Sequence, residues 1–361
     1  MEDFAASPKY ERIKRSLLNG ISSGRYRSGS KLPSESELAK EFSVNINTAK
    51  RALTELSLSG RVVRMRGKGS FVSGPGTNAR AKGRRTTFAV LLNVLEDPFY
   101  SKMLQAISRA ASLLEIDIMV FDCEREAANE IRILRRLLKE SSVDGCIVIP
   151  ADAARNAKER KFLSRLQEAG MPLLLLYPQA EVEGCPQLRC DMTGGIREVI
   201  RHFIASGRRK ILTVTHGNFD DLEIKATLAG MRLEMEAAGL IMDERNIETV
   251  DVAWFKSGYK VADKIAARPD RPDAIFAVSD ELAIGMLTRF KELGIKVPDE
   301  IKMACAGDID DSSCSEIQLS ALSHPLERVG KKAVELLKMQ LDGRKSPELS
   351  MLPMKFIVRE T

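Results

Sequence analysis

Between residues 88 and 306 the chain returns repeatedly to one pattern: a short, continuous apolar run followed by an amphipathic helical stretch. The apolar runs fall at 88–94, 116–121, 146–149, 173–177, 211–215, 274–278 and 302–306, and helical spacing marks 100–114, 127–140, 194–206 and 281–293. A strand that is apolar on both faces leaves no face for water, so it belongs inside a parallel sheet covered by helices on both sides. Seven or more such units over about 270 residues fit two doubly wound lobes better than one. Ligands of these sheets bind at the carboxyl ends of the strands, which here means the cleft between the lobes.

The first 87 residues have a different texture. They hold 18 Lys and Arg against 7 Asp and Glu, a net of +11, whereas the remainder is net −5 and the whole chain +6. A small basic head on a mildly acidic body implies a polyanionic partner for the head alone. Ser7-Pro8 open a first helix whose buried stripe is Tyr10, Ile13, Leu17 and Ile21. Ser34 and Glu37 have capping-box spacing ahead of a second helix that buries Leu38 and Phe42. After a turn at Ser43-Val44-Asn45, a third helix points Ile46, Ala49, Leu53 and Leu56 inward and stops at Gly60. Two short β runs, 62–66 and 70–72, then flank a Gly-Lys-Gly tip. Helix, turn, helix, wing is the order of a winged helix-turn-helix, whose second core helix is shaped for a DNA major groove.

In that frame Asn45, Asn47, Thr48, Lys50 and Arg51 face the groove, where Asn pairs with adenine and Lys or Arg with guanine or phosphate. Lys68 and Gly69 in the wing approach the backbone closely, with Arg64 and Arg66 beside them, and Ser34 and Ser36 offer hydroxyls to phosphates. Residues 74–87 contain four basic residues, no acid and almost nothing to bury, so they read as a linker with a coil reach on the order of 20 Å.

Other classes fit poorly. The six cysteines form no CxxC pair and no metal-ligand spacing with the three histidines, so buried thiols in a reducing cytoplasm are expected, with no metal and no cofactor. No apolar run approaches the ~20 residues needed to span a bilayer. His202, His216 and His324 are accompanied by no nucleophile triad, HExxH, P-loop or dinucleotide fingerprint, so an enzyme is not expected.

Residues 8–73 resemble the DNA-binding domain of the GntR family. The resemblance runs through Tyr10 and Ile13, the Leu32-Pro33-Ser34-Glu35 box, Leu38-Ala39, Ala52-Leu53, Leu56, and the wing from Gly67 to Val72. Residues 88–361 resemble the effector domain of the LacI/GalR repressors, which is similar to periplasmic sugar-binding proteins. The carrying pieces are Asp97-Pro98-Phe99, Val143-Asp144-Gly145, Cys190 to Gly194, Ser206 to Ile211 and Ser279 to Gly285. Further on come Gly294 to Asp299, His324-Pro325 with Gly330, and Val358-Arg359-Glu360. The two halves together are similar to the arabinose-repressor type of bacterial regulator.

The resemblance implies an α/β architecture: an N-terminal winged helix-turn-helix (1–73), a linker (74–87), and two periplasmic-binding-protein-like, doubly wound parallel-sheet lobes (88–361). It implies a cytoplasmic repressor of carbohydrate-utilisation genes, bound to operator DNA on the nucleoid as a homodimer assembled through the body. A small molecule in the cleft, a sugar, alters operator affinity. The alternatives of the same architecture are an activator, a co-repressed regulator, or a body serving only as a dimerisation scaffold.

Phe99 takes a position that lines the sugar cleft in the family, or else is a core aromatic. Trp254 is either a stacking platform for a sugar ring or an interlobe packing residue. Tyr177 ends the strand before the lobe crossover. Ser279 and Asp280 end a strand and open a helix, with Asp280 either ligand-facing or an N-terminal cap, and Asp308 follows another strand end. Position 227 is Thr227 where many relatives carry a sugar-gripping arginine. Ser36 and Ile46 likewise stand where the family keeps arginine, which implies fewer phosphate anchors and a shallower salt slope.

Overall fold

The computed structural model describes residues 8–22, 24–27, 29–58, 61–65, 68–72, 85–140, 142–150, 157–168, 170–307 and 318–361. Ser7, Gly60, Arg66, Gly67, most of the 74–87 stretch, Asp308 and Cys314 lie outside them.

The head consists of α1 (Lys9–Ser22), α2 (Glu35–Glu41), α3 (Ile46–Leu58) and a hairpin of β1 (Val62–Met65) and β2 (Gly69–Val72). The hairpin is antiparallel and pairs Val62 with Val72 through Met65 with Gly69. Ile13, Leu17, Leu38, Ala49, Leu53 and Leu56 are all buried and close one small core. The expected capping box is formed: the Ser34 Oγ accepts from Glu37 N at 3.2 Å and Ser34 N donates to Glu37 Oε2 at 2.7 Å. Ile46 departs from expectation. It is 46% exposed, because the helix begins with it and the buried stripe starts only at Ala49.

The first lobe runs β3 (Thr87–Leu92), α4 (Pro98–Ser112), β4 (Asp117–Asp122), α5 (Ala127–Glu140), β5 (Gly145–Val148), α6 (Ala157–Glu168), β6 (Leu173–Leu176) and β7 (Gln187–Asp191). The second runs α7 (Met192–Ala205), β8 (Ile211–His216), α8 (Leu222–Ala237), β9 (Ile247–Val250), α9 (Phe255–Ala266), β10 (Ala274–Ala277), α10 (Asp280–Glu292), β11 (Lys302–Ala306) and β12 (Ser320–Ser323). The chain then returns through α11 (Leu326–Leu341) and β13 (Leu349–Pro353) to the first lobe and ends with β14 (Lys355–Ile357) in the second.

The sheet orders are β13-β7-β6-β5-β3-β4 and β14-β12-β11-β10-β8-β9, parallel throughout except for the antiparallel β12–β14 pair. The central strands β3, β5, β6, β10 and β11 are buried nearly end to end, as helices on both faces require. The lobe crossover follows β7 at Asp191–Met192, not β6. Tyr177 therefore ends a strand one step earlier than the sequence reading placed it, since β7 with its internal Arg189 shows no continuous apolar run. Cys123, Cys146, Cys185, Cys190 and Cys305 are buried and not in disulfides.

Candidate DNA-binding face and interlobe cleft

The head commits several of its polar groups internally. Asn45 accepts Asn47 N on its Oδ1 at 2.9 Å and so acts as a cap for α3. The Arg51 guanidinium lies 4.0 Å from the centre of the Tyr10 ring and 3.4 Å from Glu55. Arg64 pairs with Glu35 and donates to Thr54 Oγ1 at 2.9 Å, tying the wing to both helices. Ser34 is spent on the capping box. Ser36, Asn47, Lys50, Lys68 and Gly69 are exposed, and Thr48 is half-buried. The free polar surface is therefore narrower than the sequence reading drew it: the start of α2, the leading edge of α3, and the wing tip.

Between the lobes lies a cleft of about 1090 Å³, lined from both sides at the carboxyl ends of the strands. Phe99, Tyr177, Trp254, Ser279 and Asp280 all line it. Phe99 sits in the first turn of α4, which Asp97 caps; its ring meets Tyr177 and His324 edge-on at 5.8 and 5.1 Å. Tyr177 holds a left-handed backbone (φ 48°) and bonds Cys190 Sγ at 3.2 Å. Burial pushes its phenol well above its ordinary range.

Ser279 Oγ caps α10 through Leu282 N at 3.2 Å and donates to Ala253 O at 2.6 Å, so it holds the Trp254 loop against α10. Asp280, in the first turn of α10, both lines the cleft and lies in the electropositive field of the helix start. Thr227 does not line the cleft. It is buried, and its Oγ1 donates back to Glu223 O at 2.9 Å on the same helix, a habit of short β-branched hydroxyls.

The cleft contains residues the sequence reading missed. Four buried polar atoms that line it have no hydrogen-bond partner: Asn93 Oδ1, Gln179 Oε1, Arg189 Nε and His324 Nδ1. Such groups cost about 1–3 kcal/mol each when left unpaired, so they favour a ligand that brings hydroxyls. Asn93 falls inside the expected run 88–94 and is freed only because β3 ends at Leu92; Arg125 lies in the turn after β4. No signal in the sequence marks Gln179, Arg189 or Glu223.

The walls differ in charge. Asp221, Glu223, Asp251, Asp280 and Glu281 come from the second lobe with no Lys or Arg among the lining residues, while Lys102, Arg125 and Arg189 come from the first lobe beside one acid, Asp97. Glu223 is exposed to the cleft space, and desolvation by the surrounding walls, with Asp221 nearby, raises its carboxyl to about 7. Burial lowers His324 to about 4, so this imidazole is neutral at physiological pH. Among the described residues no cluster of His, Cys, Asp and Glu is placed to hold a metal ion. None of their helices is long and apolar enough to cross a membrane.

A winged helix-turn-helix joined to a two-lobed sheet body with a polar, aromatic-lined cleft defines a DNA-binding transcriptional regulator with a periplasmic-binding-protein-like domain. Residues 9–72 match the family of bacterial regulatory proteins called gntR, and residues 200–361 match the periplasmic binding protein-like domain. The chain is 24% identical over 342 residues to the arabinose metabolism transcriptional repressor of Geobacillus stearothermophilus, covering 93% of this chain and 92% of that protein. It is 23% identical over 264 residues to catabolite control protein A of Staphylococcus xylosus, covering 72% and 77%. The body has the fold of a LacI family regulator from Enterococcus faecium solved with bound ribose: TM-score 0.65, 20% identity, 76% of this chain and 98% of that one.

Proposed function

We propose that this protein is a ligand-responsive repressor of carbohydrate-utilisation genes whose cleft takes an uncharged sugar and whose paired heads hold a two-fold operator. The set of unpaired buried polar atoms beside Phe99, Tyr177 and Trp254 carries the reading, because a sugar supplies both hydroxyls and an apolar ring face. The acidic wall of the second lobe opposes a phosphorylated or carboxylated ligand, since bringing an anion beside these carboxylates costs more than Lys102, Arg125 and Arg189 return at the other wall. Similarity to arabinose metabolism repressors along nearly the whole chain supports the regulatory role.

The homodimer belongs to the same reading. β4 is an edge strand of the first sheet, with Met119 and Val120 each 40% exposed and Leu113 and Leu114 in the turn before it 86% and 51% exposed. An apolar edge of this kind is normally covered, and a second copy covers it with two-fold symmetry. The domain division at 73 and 88 fits it as well: a linker between head and body converts lobe closure into a change of head spacing.

A thermal-shift screen of the full chain against pentoses, hexoses, deoxysugars and their phosphates tests the proposal. One neutral sugar is expected to raise Tm by on the order of 5 °C at about 100 times its Kd, with its phosphate inert. A shift by phosphates alone, or by none of the panel, contradicts the ligand class.

A further inference from the structure

We infer that Ile46 reads thymine methyl groups in the major groove, giving the head a specificity that depends on thymine where α3 meets the bases. The inference rests on the proposal that the head binds duplex DNA. Residues at the N-terminal end of a recognition helix are the ones that reach base edges, and Ile46 is the first residue of α3. Ile46 stands at the open end of its stripe and is 46% exposed: Asn47 beside it and Lys50 one turn on are exposed, while Ala49 and Leu53, further along the stripe, are buried.

The other groups near this edge are occupied. Asn45 caps the helix, Arg51 lies on the Tyr10 ring beside Glu55, and Arg64 is held by Glu35 and Thr54. What the leading edge of α3 offers is therefore an amide, a half-buried threonine, an ammonium and a bare isoleucine, at the basic end of a chain whose first 87 residues carry a net charge of +11.

An isoleucine can neither donate nor accept a hydrogen bond. In the major groove the only apolar feature on a base edge is the thymine C5-methyl, so that is the group its branched side chain matches. Its stiff χ1 means that little rotamer freedom is lost on contact. Apart from Ile46, Met65 on β1 is the one large apolar side chain of the head that is exposed among the described residues, and it sits on the wing, away from the start of α3.

The test uses the full-length protein and duplexes selected by it from a random double-stranded pool, with affinity read by fluorescence anisotropy. Each thymine of the best duplex is replaced in turn by deoxyuridine, which removes only the methyl. At one position per half-site, wild-type affinity should fall about fourfold, the change that corresponds to one buried methyl. Ile46→Ala, which keeps a strong helix former at the first position, should bind the unmodified duplex more weakly by a similar factor and become indifferent to deoxyuridine there. Tolerance of deoxyuridine at every position by the wild type overturns the inference, as do losses from deoxyuridine and from Ile46→Ala that simply add. A pool from which the wild type selects nothing overturns the DNA-binding reading itself, and this inference with it.

Discussion

Arg125 leaves the end of β4 and crosses the mouth of the cleft to lie 5.4 Å from the centre of the Trp254 ring on the opposite lobe, with Asp97 4.0 Å away on its own. Trp254 thereby makes an interlobe contact, while 49% of it stays exposed for a ligand ring. A cation over an aromatic ring at a partly open site contributes about 0.5–1 kcal/mol. If ligand and lobe closure are linked through this contact, Arg125→Ala weakens sugar binding by about two- to fivefold in a calorimetric titration, and an unchanged Kd would separate the contact from closure.

His324 gives a prediction in pH. Its folded pKa of about 4 lies below the ordinary 6.5, so the unfolded chain takes up a proton that the folded chain refuses. The stability this lends is complete above pH 6.5 and is lost as pH falls toward 4. His324→Phe should flatten the decline of Tm across that window relative to wild type; two parallel curves would show that His324 does not carry it.

At the scale of elements, α9 and α10 approach backbone to backbone. A Cβ on Gly258 would lie 2.0 Å from Leu282 O, and one on Gly285 2.1 Å from Phe255 O. The N-terminal ends of these helices carry Trp254, Ser279 and Asp280, so their close packing sets one wall of the cleft. Gly285→Ala should cost about 1–3 kcal/mol through overpacking and also weaken sugar binding. A lowered Tm with intact affinity would mean that the wall tolerates separation of the helices.

Gly285 stands in the sequence as one letter of a family pattern; only the helix crossing gives its reason. The same division runs through the fold. β3, β5, β6, β8, β10 and β11 are legible because burial on both faces writes a continuous apolar run. β7, β9, β13 and β14 are not, since Gln187, Arg189, Glu248, Pro353 and Lys355 interrupt short strands at or near the sheet edges. In the cleft, strand ends pointed to Tyr177, Ser279 and Asp280, and the family resemblance to Phe99. Gln179 and Arg189 come from the missed β7 and its approach, and Thr227 failed because its helix turns it into the core.

For the whole molecule, the proposal is that one chain couples two sites: a cleft that closes on a sugar and a basic head that holds DNA. The three passages between lobes, at 191–192, near His324 and at Met354, leave the cleft free to change while the sheets stay intact. Coupling between such sites is typically about 1–3 kcal/mol, or roughly 5–150-fold in affinity. The most direct measurement is the affinity of the full chain for its best selected duplex, by anisotropy, without sugar and at saturation with the sugar that shifts its Tm. The account predicts a fall of at least about fivefold on adding the sugar. Equal affinities in the two conditions, or tighter binding with sugar, would contradict it.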